Sequence, residues 1–384
     1  MPGSSPLFQG ALKARTRLAK ISWTPDNLSH RCVKLAKAQV QARRNGEDIM
    51  RLSKLVLAGL CALGLFNAGH ASSAEPVKIR MSWVAPLANW GSIVLEKKDL
   101  LTHMGKSYTL ESVHYQGTPQ MITAIANNEL EIASLAYSSL AIAIENAGLD
   151  DLRVISDEFQ DGVPGYFSEE YYVRKDSGIN KVEDLKGKVI GTNGAGSAVD
   201  VATRAMLRKH GLEDKRDYTM LEGPLPAMPA MLLEKKVALI PAVLPFALNP
   251  KLREDGKILF YQRDALGITQ MIVFAARKSF IDKNRAAMVD FMEDLLRVVH
   301  WYLDPNNHDA VAQIASKITK APPERFGWLF TKADTYRDPN LLPNLEALQR
   351  NIDTTRDLGF IKKPLDIKKY SDLSLVKEAA KRLK

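Results

Sequence analysis

The feature that most limits the possible folds is an alternation of short apolar strands with helices, which runs along the chain twice. Residues 77–81 alternate between apolar and charged side chains, as a half-buried strand does. Thr118 and Pro119 then suit the N-cap and first turn of a helix. Such alternation indicates βαβ units and a mostly parallel sheet. Further strands of this first run are predicted at 108–114, 131–136 and 152–156, and a helix is predicted at 91–100.

The same alternation starts again near residue 170, and the chain returns to the first pattern near residue 270. We therefore predict an α/β protein with two lobes, each holding a mostly parallel sheet flanked by helices. Lobe 1 is formed by residues 75–169 and 270–384, and lobe 2 is formed by residues 170–269. Two passages of the chain between the lobes make a hinge, and a hinge implies a cleft.

The N-terminal region has the three parts of a secretory signal peptide. Residues 50–54 include the basic Arg51 and Lys54, residues 55–66 are apolar, and Ser72-Ser73-Ala74 offers a small-residue cleavage site. An apolar run of roughly 12 residues is too short to cross a bilayer as a helix. We expect 50–74 to be a signal peptide, 1–49 an upstream extension outside the mature protein, and the mature chain to be periplasmic.

The basic residues and the cysteines are also distributed unevenly on the two sides of position 74. Residues 1–74 hold 11 of the 53 basic and 3 of the 44 acidic residues, which leaves 42 basic and 41 acidic residues after position 74. A nearly neutral mature chain argues against a nucleic-acid partner. Because Cys32 and Cys61 both precede position 75, a mature chain has no disulfide, cysteine-type zinc site or cysteine nucleophile. No cofactor is expected.

Several segments resemble the solute-binding proteins of ABC importers, closest to the nitrate/sulfonate/taurine and thiamine-precursor class. They are Tyr-Val-Arg-Lys-Asp-Ser-Gly-Ile at 172–179, Val-Glu-Asp-Leu-Lys-Gly-Lys-Val-Ile-Gly at 182–191 and the stretch 275–284. The resemblance implies a type II periplasmic-binding-protein fold. It also implies a monomer that captures a sulfonate, carboxylate or aromatic or heterocyclic solute in its cleft and delivers it to a membrane permease.

One stretch departs from the pattern of that class. Ala238 stands where an acidic residue is common, and Leu244-Pro245-Phe246 replaces the usual Trp or Glu region. This departure favours a solute less polar than nitrate.

Two loops at predicted strand ends suit ligand contact. The loop 193–197 precedes a helix, so its free N–H groups and the helix dipole suit an anion, although it can equally be a tight turn that binds nothing. Gly117-Thr118 has the same arrangement in lobe 1, and nearby aromatic residues suit an apolar cleft wall. The candidate ligand-binding residues are Trp83, Pro86, Trp90, Gly117, Thr118, Tyr137, Ser138, Tyr166, Asn193, Gly194, Gly196, Ser197, Pro245 and Phe246.

Other chemistry is less favoured by the sequence. The histidines after position 74 show no metal-ligand spacing, Ser197 lacks a Gly-x-Ser-x-Gly motif, and Glu169-Glu170 is interpreted as a solvated loop pair. No catalytic residue or metal site is therefore predicted. Two alternatives stay open. One is an enzyme on the same fold, related to thiamine-pyrimidine synthases, whose cysteine-rich segment this chain lacks. The other is an extracytoplasmic sensor that works without a transporter.

We predict that export removes residues 1–74, because the signal pattern, the basic excess and both cysteines end there. N-terminal sequencing of the exported protein should begin at or near Glu75. A mature chain that starts before Met50, or a product retained in the cytoplasm, would contradict this prediction.

Overall fold

The computed structural model describes residues 75–383, which belong to one compact unit. The predicted upstream extension and signal peptide, 1–49 and 50–74, lie outside the described residues. Among the helices that are described, none has the length and apolarity needed to cross a membrane.

Five strands form the first sheet, in the order β2-β1-β3-β10-β4. Strands β1 and β2 pair in parallel, with Val77 opposite Tyr108, and one parallel bridge joins Met81 to Ile132 just before β3. Strand β10 runs antiparallel to both β3 and β4. The strand bounds are β1 Val77–Trp83, β2 Tyr108–His114, β3 Ala133–Ala136, β4 Leu152–Asp161 and β10 Thr269–Arg277.

The second sheet repeats this plan in the order β7-β6-β8-β5-β9. Strands β6 and β7 are parallel, one parallel bridge joins Ile190 to Leu239, and β5 runs antiparallel to β8 and β9. The bounds are β5 Glu170–Arg174, β6 Lys188–Thr192, β7 Tyr218–Glu222, β8 Ile240–Ala242 and β9 Gly256–Tyr261. Strand β9 was not anticipated from the sequence.

In each sheet, one strand runs opposite to the other four. It is the first strand that the chain forms when it arrives from the other sheet. Strand β5 follows β4, and β10 follows β9 and one short helix. The remaining four strands of each sheet share one direction. The α/β class with two mostly parallel sheets is therefore confirmed. The boundaries of the lobes and their movement about a hinge stay predictions.

Helices flank both sheets. The helix that begins at Thr118 has Gly117 and not the predicted Thr118 at its N-cap, and the Thr118 hydroxyl bonds to Ser139 Oγ instead. Ser197 Oγ accepts from Asp200 N at 3.3 Å, so it caps the helix that follows β6. The helix predicted at 91–100 is instead two 3₁₀ turns, Trp90–Ser92 and Val94–Leu100, with a non-helical Lys97. The α-helices are α1 Thr118–Ala126, α2 Tyr137–Glu145, α3 Ala198–Lys209, α4 Met228–Leu233, α5 Pro250–Asp255, α6 Gln262–Leu266, α7 Lys278–Lys283, α8 Arg285–Leu303, α9 His308–Thr319, α10 Leu345–Asp357 and α11 Ser374–Arg382.

One apolar cluster joins strands and helices of the first sheet to α3 and to loop residues that follow strands of the second sheet. Tyr137 and Leu140 of α2 belong to it together with Val199 of α3 and Val243 after β8. Burial of these side chains brings the carboxyl ends of β3, β6 and β8 towards each other. The shared cluster therefore determines where a site between the sheets can lie.

Strand β4 carries three fully buried carboxyl groups. Burial raises the pKa of Asp157 to about 7, of Glu158 to about 8 and of Asp161 to about 6. Hydrogen bonds oppose this effect: Glu158 accepts from Trp90 N at 2.8 Å and from Ser134 Oγ. Burial outweighs them, because removal from water disfavours the charged form.

These raised pKa values predict that stability falls as the pH rises. In the unfolded chain the carboxyls ionise near pH 4, whereas in the folded protein Glu158 holds its proton to about pH 8. Between these pH values the folded state binds more protons, so the free energy of unfolding decreases by about 1.4 kcal/mol per pH unit for one such group.

We expect Glu158→Gln to lose less stability than wild type between pH 5 and pH 8, since the amide does not ionise. Urea denaturation at both pH values measures the difference. Glu129→Gln is the control, because Glu129 is exposed and should leave the pH dependence unchanged. Parallel pH profiles for wild type and Glu158→Gln would contradict the prediction.

Candidate functional site

A cavity of about 60 Å³ lies between the two sheets, at the carboxyl ends of their strands. This is the edge at which open α/β sheets bind their ligands. Most of the lining is apolar, with a few polar groups. It consists of Val84, Ala85, Ala88, Asn89, Thr118, Ala136, Phe159, Glu169, Asn193, Ser197, Ala198, Val199, Leu225, Val243, Leu244, Met271, Ile272 and Thr335.

Asn89 holds the loop after β1 against the cavity. Its Oδ1 accepts from Val84 N at 3.1 Å and from Ala85 N at 2.8 Å, and its Nδ2 donates to Ser134 Oγ at 3.2 Å. Because the side chain is buried and all these bonds are local to the first sheet, the loop has a fixed shape.

The start of α2 contacts the loop after β6 directly. Tyr137 Oη donates to Ala198 O at 3.0 Å, and Ser138 Oγ donates to Gly196 O at 2.7 Å. Gly196 has a φ of 76°, and a Cβ there would lie 2.7 Å from Ile142 Cδ1. The close packing of these elements explains why the space between the sheets is small.

The sequence indicated the loop 193–197 as an anion site. Two backbone N–H groups of this loop already donate to carboxyl groups of the protein. Gly196 N donates to Asp200 Oδ2 at 2.9 Å, and Ala195 N donates to Glu222 Oε1 at 2.8 Å. Asp200 also pairs with Arg204 at 3.0 Å. The loop therefore satisfies its own donors by means of internal carboxylates.

The predicted site residues fall into two groups. Thr118, Asn193 and Ser197 line the cavity, and Gly117 lies beside Asn193, whose carbonyl oxygen would be 3.3 Å from an added Cβ. Tyr137, Ser138 and Gly196 form the contact described above, next to Gly194.

The other predicted residues lie outside the lining. Trp83 packs on His114 at 4.3 Å between ring centroids, and Tyr166 meets Tyr336 edge to face at 5.2 Å. Trp90 is buried in the core and stacks on Phe330 at 5.3 Å. The remaining candidates, which are half-buried, are Pro86, Pro245 and Phe246. Ligand contact by all fourteen residues stays a prediction.

The interpretation of Glu169 and Glu170 as solvated loop charges was wrong. Both are buried, Glu169 being 3% and Glu170 6% exposed. The reason is that β5 begins here: Glu169 N donates to Asp161 Oδ2 at 2.7 Å, and Glu169 O accepts from Gln262 N at 2.9 Å. Glu170 is held by the Tyr172 hydroxyl at 3.0 Å. The sequence signal for this burial was the position of both residues directly before the apolar run 171–173.

Glu169 is the one carboxyl residue among the described residues that line the cavity. Burial raises its pKa well above the usual range, and the nearby charges of Asp161, Glu170 and Asp334 raise it further. Its Oε2 is buried and has no hydrogen-bond partner within residues 75–383. A carboxyl in this state is held neutral and is available to a ligand.

A possible metal site lies elsewhere, on α8. Among the described residues, His103, Asp290 and Glu293 place ligand atoms within 4.8 Å of each other. Arg382 already pairs with Asp290 at 2.8 Å and with Glu293 at 3.8 Å, and Arg297 also pairs with Glu293. Because arginines compensate both carboxylates, this group is a surface ion-pair network.

Solved structures show which fold this arrangement represents. The alkanesulfonate-binding protein SsuA from Xanthomonas axonopodis pv. citri, bound to MOPS, is 19% identical with a TM-score of 0.62, over 78% of this chain and 99% of that chain. The periplasmic nitrate-binding protein NrtA from Synechocystis PCC 6803 is 14% identical with a TM-score of 0.63, over 81% and 90%. The desulfurization enzyme DSZB is 11% identical with a TM-score of 0.56, over 80% and 100%.

The chain therefore has the type II periplasmic-binding-protein fold that the sequence predicted. Residues 72–316 match the NMT1-like family, and the chain belongs to that family. No curated protein sequence matches it.

We predict that Tyr137→Phe loosens the contact between the two sheets. The variant loses the bond to Ala198 O, and removal of one hydrogen bond costs about 1 kcal/mol. Small-angle scattering of the ligand-free protein should show a larger radius of gyration than wild type.

Tyr302→Phe is the matched control. Tyr302 is equally buried, and its hydroxyl donates to Ile93 O at 3.1 Å within the core of the first sheet. This variant should lose similar stability without expansion. Equal radii for Tyr137→Phe and wild type would contradict a role of Tyr137 in closure.

Proposed function

We propose that this protein is a periplasmic solute-binding protein that captures a small organic solute in the cavity between its sheets and delivers it to the permease of an ABC importer. The observation that carries the proposal is the position of the cavity. Loops at strand ends of both sheets line it, so a solute there would contact both halves of the fold.

The proteins of similar fold support a binding role. Two of those named above are described as binding proteins, one for alkanesulfonate and one for nitrate. DSZB is an enzyme on the same fold, so the fold alone does not separate binding from catalysis.

The cavity lining favours binding over catalysis. Among the described lining residues there is no histidine or lysine that could act as a base beside a nucleophile. The hydroxyl of Ser197 is engaged as a helix cap, and the sequence has no cysteine after Cys61. A sensor that works without a permease would use the same cavity, so the permease is the part of the proposal that needs a partner-binding test.

Solute entry requires the sheets to move apart. The space of about 60 Å³ is far smaller than the roughly 300–1,000 Å³ typical of sites for drug-sized ligands. Two passages of the chain join the sheets, an arrangement that suits opening and closing as two bodies. On this proposal, the small cavity belongs to a closed form that opens to admit the solute.

A thermal-shift screen of the exported protein tests the proposal. Sulfonates, carboxylates, aromatic acids and nitrogen heterocycles form the compound set. A ligand at 100 times its dissociation constant should add about 2.7 kcal/mol of stability. Turnover of a hit, or the lack of any stabilising compound, would count against a binding protein.

Ser197→Leu is expected to weaken binding of any hit, because the larger side chain would fill the cavity beside Ala198 and Val199. Ser374→Leu is the control: Ser374 also begins a helix, but it is exposed on α11. If Ser197→Leu folds and binds as tightly as wild type, the cavity is not the site. Permease-containing vesicles that fail to bind the loaded protein would favour the sensor.

A further inference from the structure

We infer that the cavity selects a solute with a protonated nitrogen, an amine or amidine, and that the Glu169 carboxyl is its partner. This inference rests on the proposed function, because it assumes that the cavity holds a solute. The inferred solute differs from the sulfonate or carboxylate that the sequence led us to expect. The evidence for it is the polar atoms of the cavity lining that have no hydrogen-bond partner among the described residues.

Two acceptor atoms in the lining have no hydrogen-bond partner within the described part of the chain. One is Oε2 of Glu169, which is 3% exposed, and the other is Oδ1 of Asn193. Glu169 lies at the start of β5 and Asn193 in the loop after β6. Buried polar atoms of this kind are normally satisfied, so each calls for a partner on the bound molecule. A protonated nitrogen suits both, because it donates to the amide oxygen and favours the ionised, accepting form of the carboxyl.

The other polar groups of the lining are already engaged. Asn89 makes three hydrogen bonds, and Thr118 Oγ1 lies 2.8 Å from Ser139 Oγ. Ser197 Oγ accepts from Asp200 N, and Thr335 Oγ1 donates to Asp334 Oδ1 at 3.2 Å. Among the described lining residues, the polar side chains left for a ligand are therefore Glu169 and Asn193.

The charged groups that act most strongly on Glu169 are the carboxyls of Asp161, Glu170 and Asp334. Arg253 pairs with Glu170 and Arg337 pairs with Asp334, whereas the described lining residues include no lysine or arginine beside Glu169. A carboxyl that faces a cavity without its own ion-pair partner favours a cation over an anion.

Arg337 is a cation that contacts lining residues. It donates to Ala88 O at 2.9 Å and pairs with Asp334 at 2.8 Å, and its guanidinium lies 5.9 Å from the ring centroid of Phe159. Ala88 and Phe159 thus stand between it and the cavity. Its Nε has no partner among the described residues, so an anion that reached Nε is the competing occupant.

A bound cation would change the protonation of Glu169. Burial holds the carboxyl neutral, and an ammonium or amidinium beside it would favour the carboxylate. Binding would then release the carboxyl proton to solvent. An amidinium could donate two parallel N–H bonds to the carboxylate, which is the strong bidentate form of such a pair.

Probe pairs of equal shape and opposite charge test this inference. Acetamidine and acetate suit the small cavity, and benzamidine and benzoate are the larger pair, with benzenesulfonate added. Calorimetry and thermal shifts at constant ionic strength should show that the amidines bind wild type and the anions do not.

Glu169→Gln should weaken amidine binding roughly tenfold or more, since the bond to a charged group is lost. Glu170→Gln is the matched control, because Glu170 is a buried neighbour that does not line the cavity. Calorimetry in buffers of different ionisation enthalpy should show about one proton released per amidine in wild type and none in Glu169→Gln.

The outcomes separate the two proposals. If an anion binds and the amidines do not, or if Glu169→Gln binds amidines as tightly as wild type, the inference is wrong and the solute-binding function stands. If the wider screen finds a different ligand, an unchanged affinity in Glu169→Gln overturns the inference. If nothing binds, both fail together.

Discussion

One buried carboxyl group, Asp161, ties together the two passages of the chain between the sheets. It lies at the end of β4 and accepts from Ser168 Oγ and from Glu169 N, each at 2.7 Å. Ser168 Oγ in turn accepts from Arg263 N at 3.1 Å, on the returning passage. Since both passages are bonded to one buried group, the position of each sheet depends on it. The pKa of Asp161 is raised to about 6 by burial.

The same region places a carboxyl group in the cavity lining. Asp161 fixes the backbone of Glu169, whose carboxyl lines the cavity, and no lysine or arginine is among the described lining residues. Asp200 and Glu222 accept hydrogen bonds from two N–H groups of the opposite loop. The loop that the sequence alone suggests for anions thus has carboxyl groups of the protein on two of its donors. The electrostatics of the cavity follow from how the chain passes between the sheets.

The local parts of the fold and site could be predicted from sequence. Strand–helix alternation and capping depend on neighbours in the chain, so β1, β2 and the start of α3 agree with the prediction, whereas α1 has Gly117 in place of Thr118 at its N-cap. Thr118, Asn193 and Ser197 line the cavity because loops at the ends of parallel strands meet at one edge. The sequence predicts one continuous helix at 91–100 and misses its interruption, since the kink at Lys97 has no local sequence signal.

The sequence by itself determined the α/β class, the repeat of the strand pattern and the loops that reach the cavity, because periodicity and turn chemistry are local. Only the tertiary structure decided which charges are buried. Glu169 and Glu170 look like a solvated pair in sequence, and the entry of β5 into the second sheet removes both from water. Trp90, a candidate wall residue by position, is instead in the core. Burial depends on contacts between segments far apart in the chain, and no local pattern encodes those contacts.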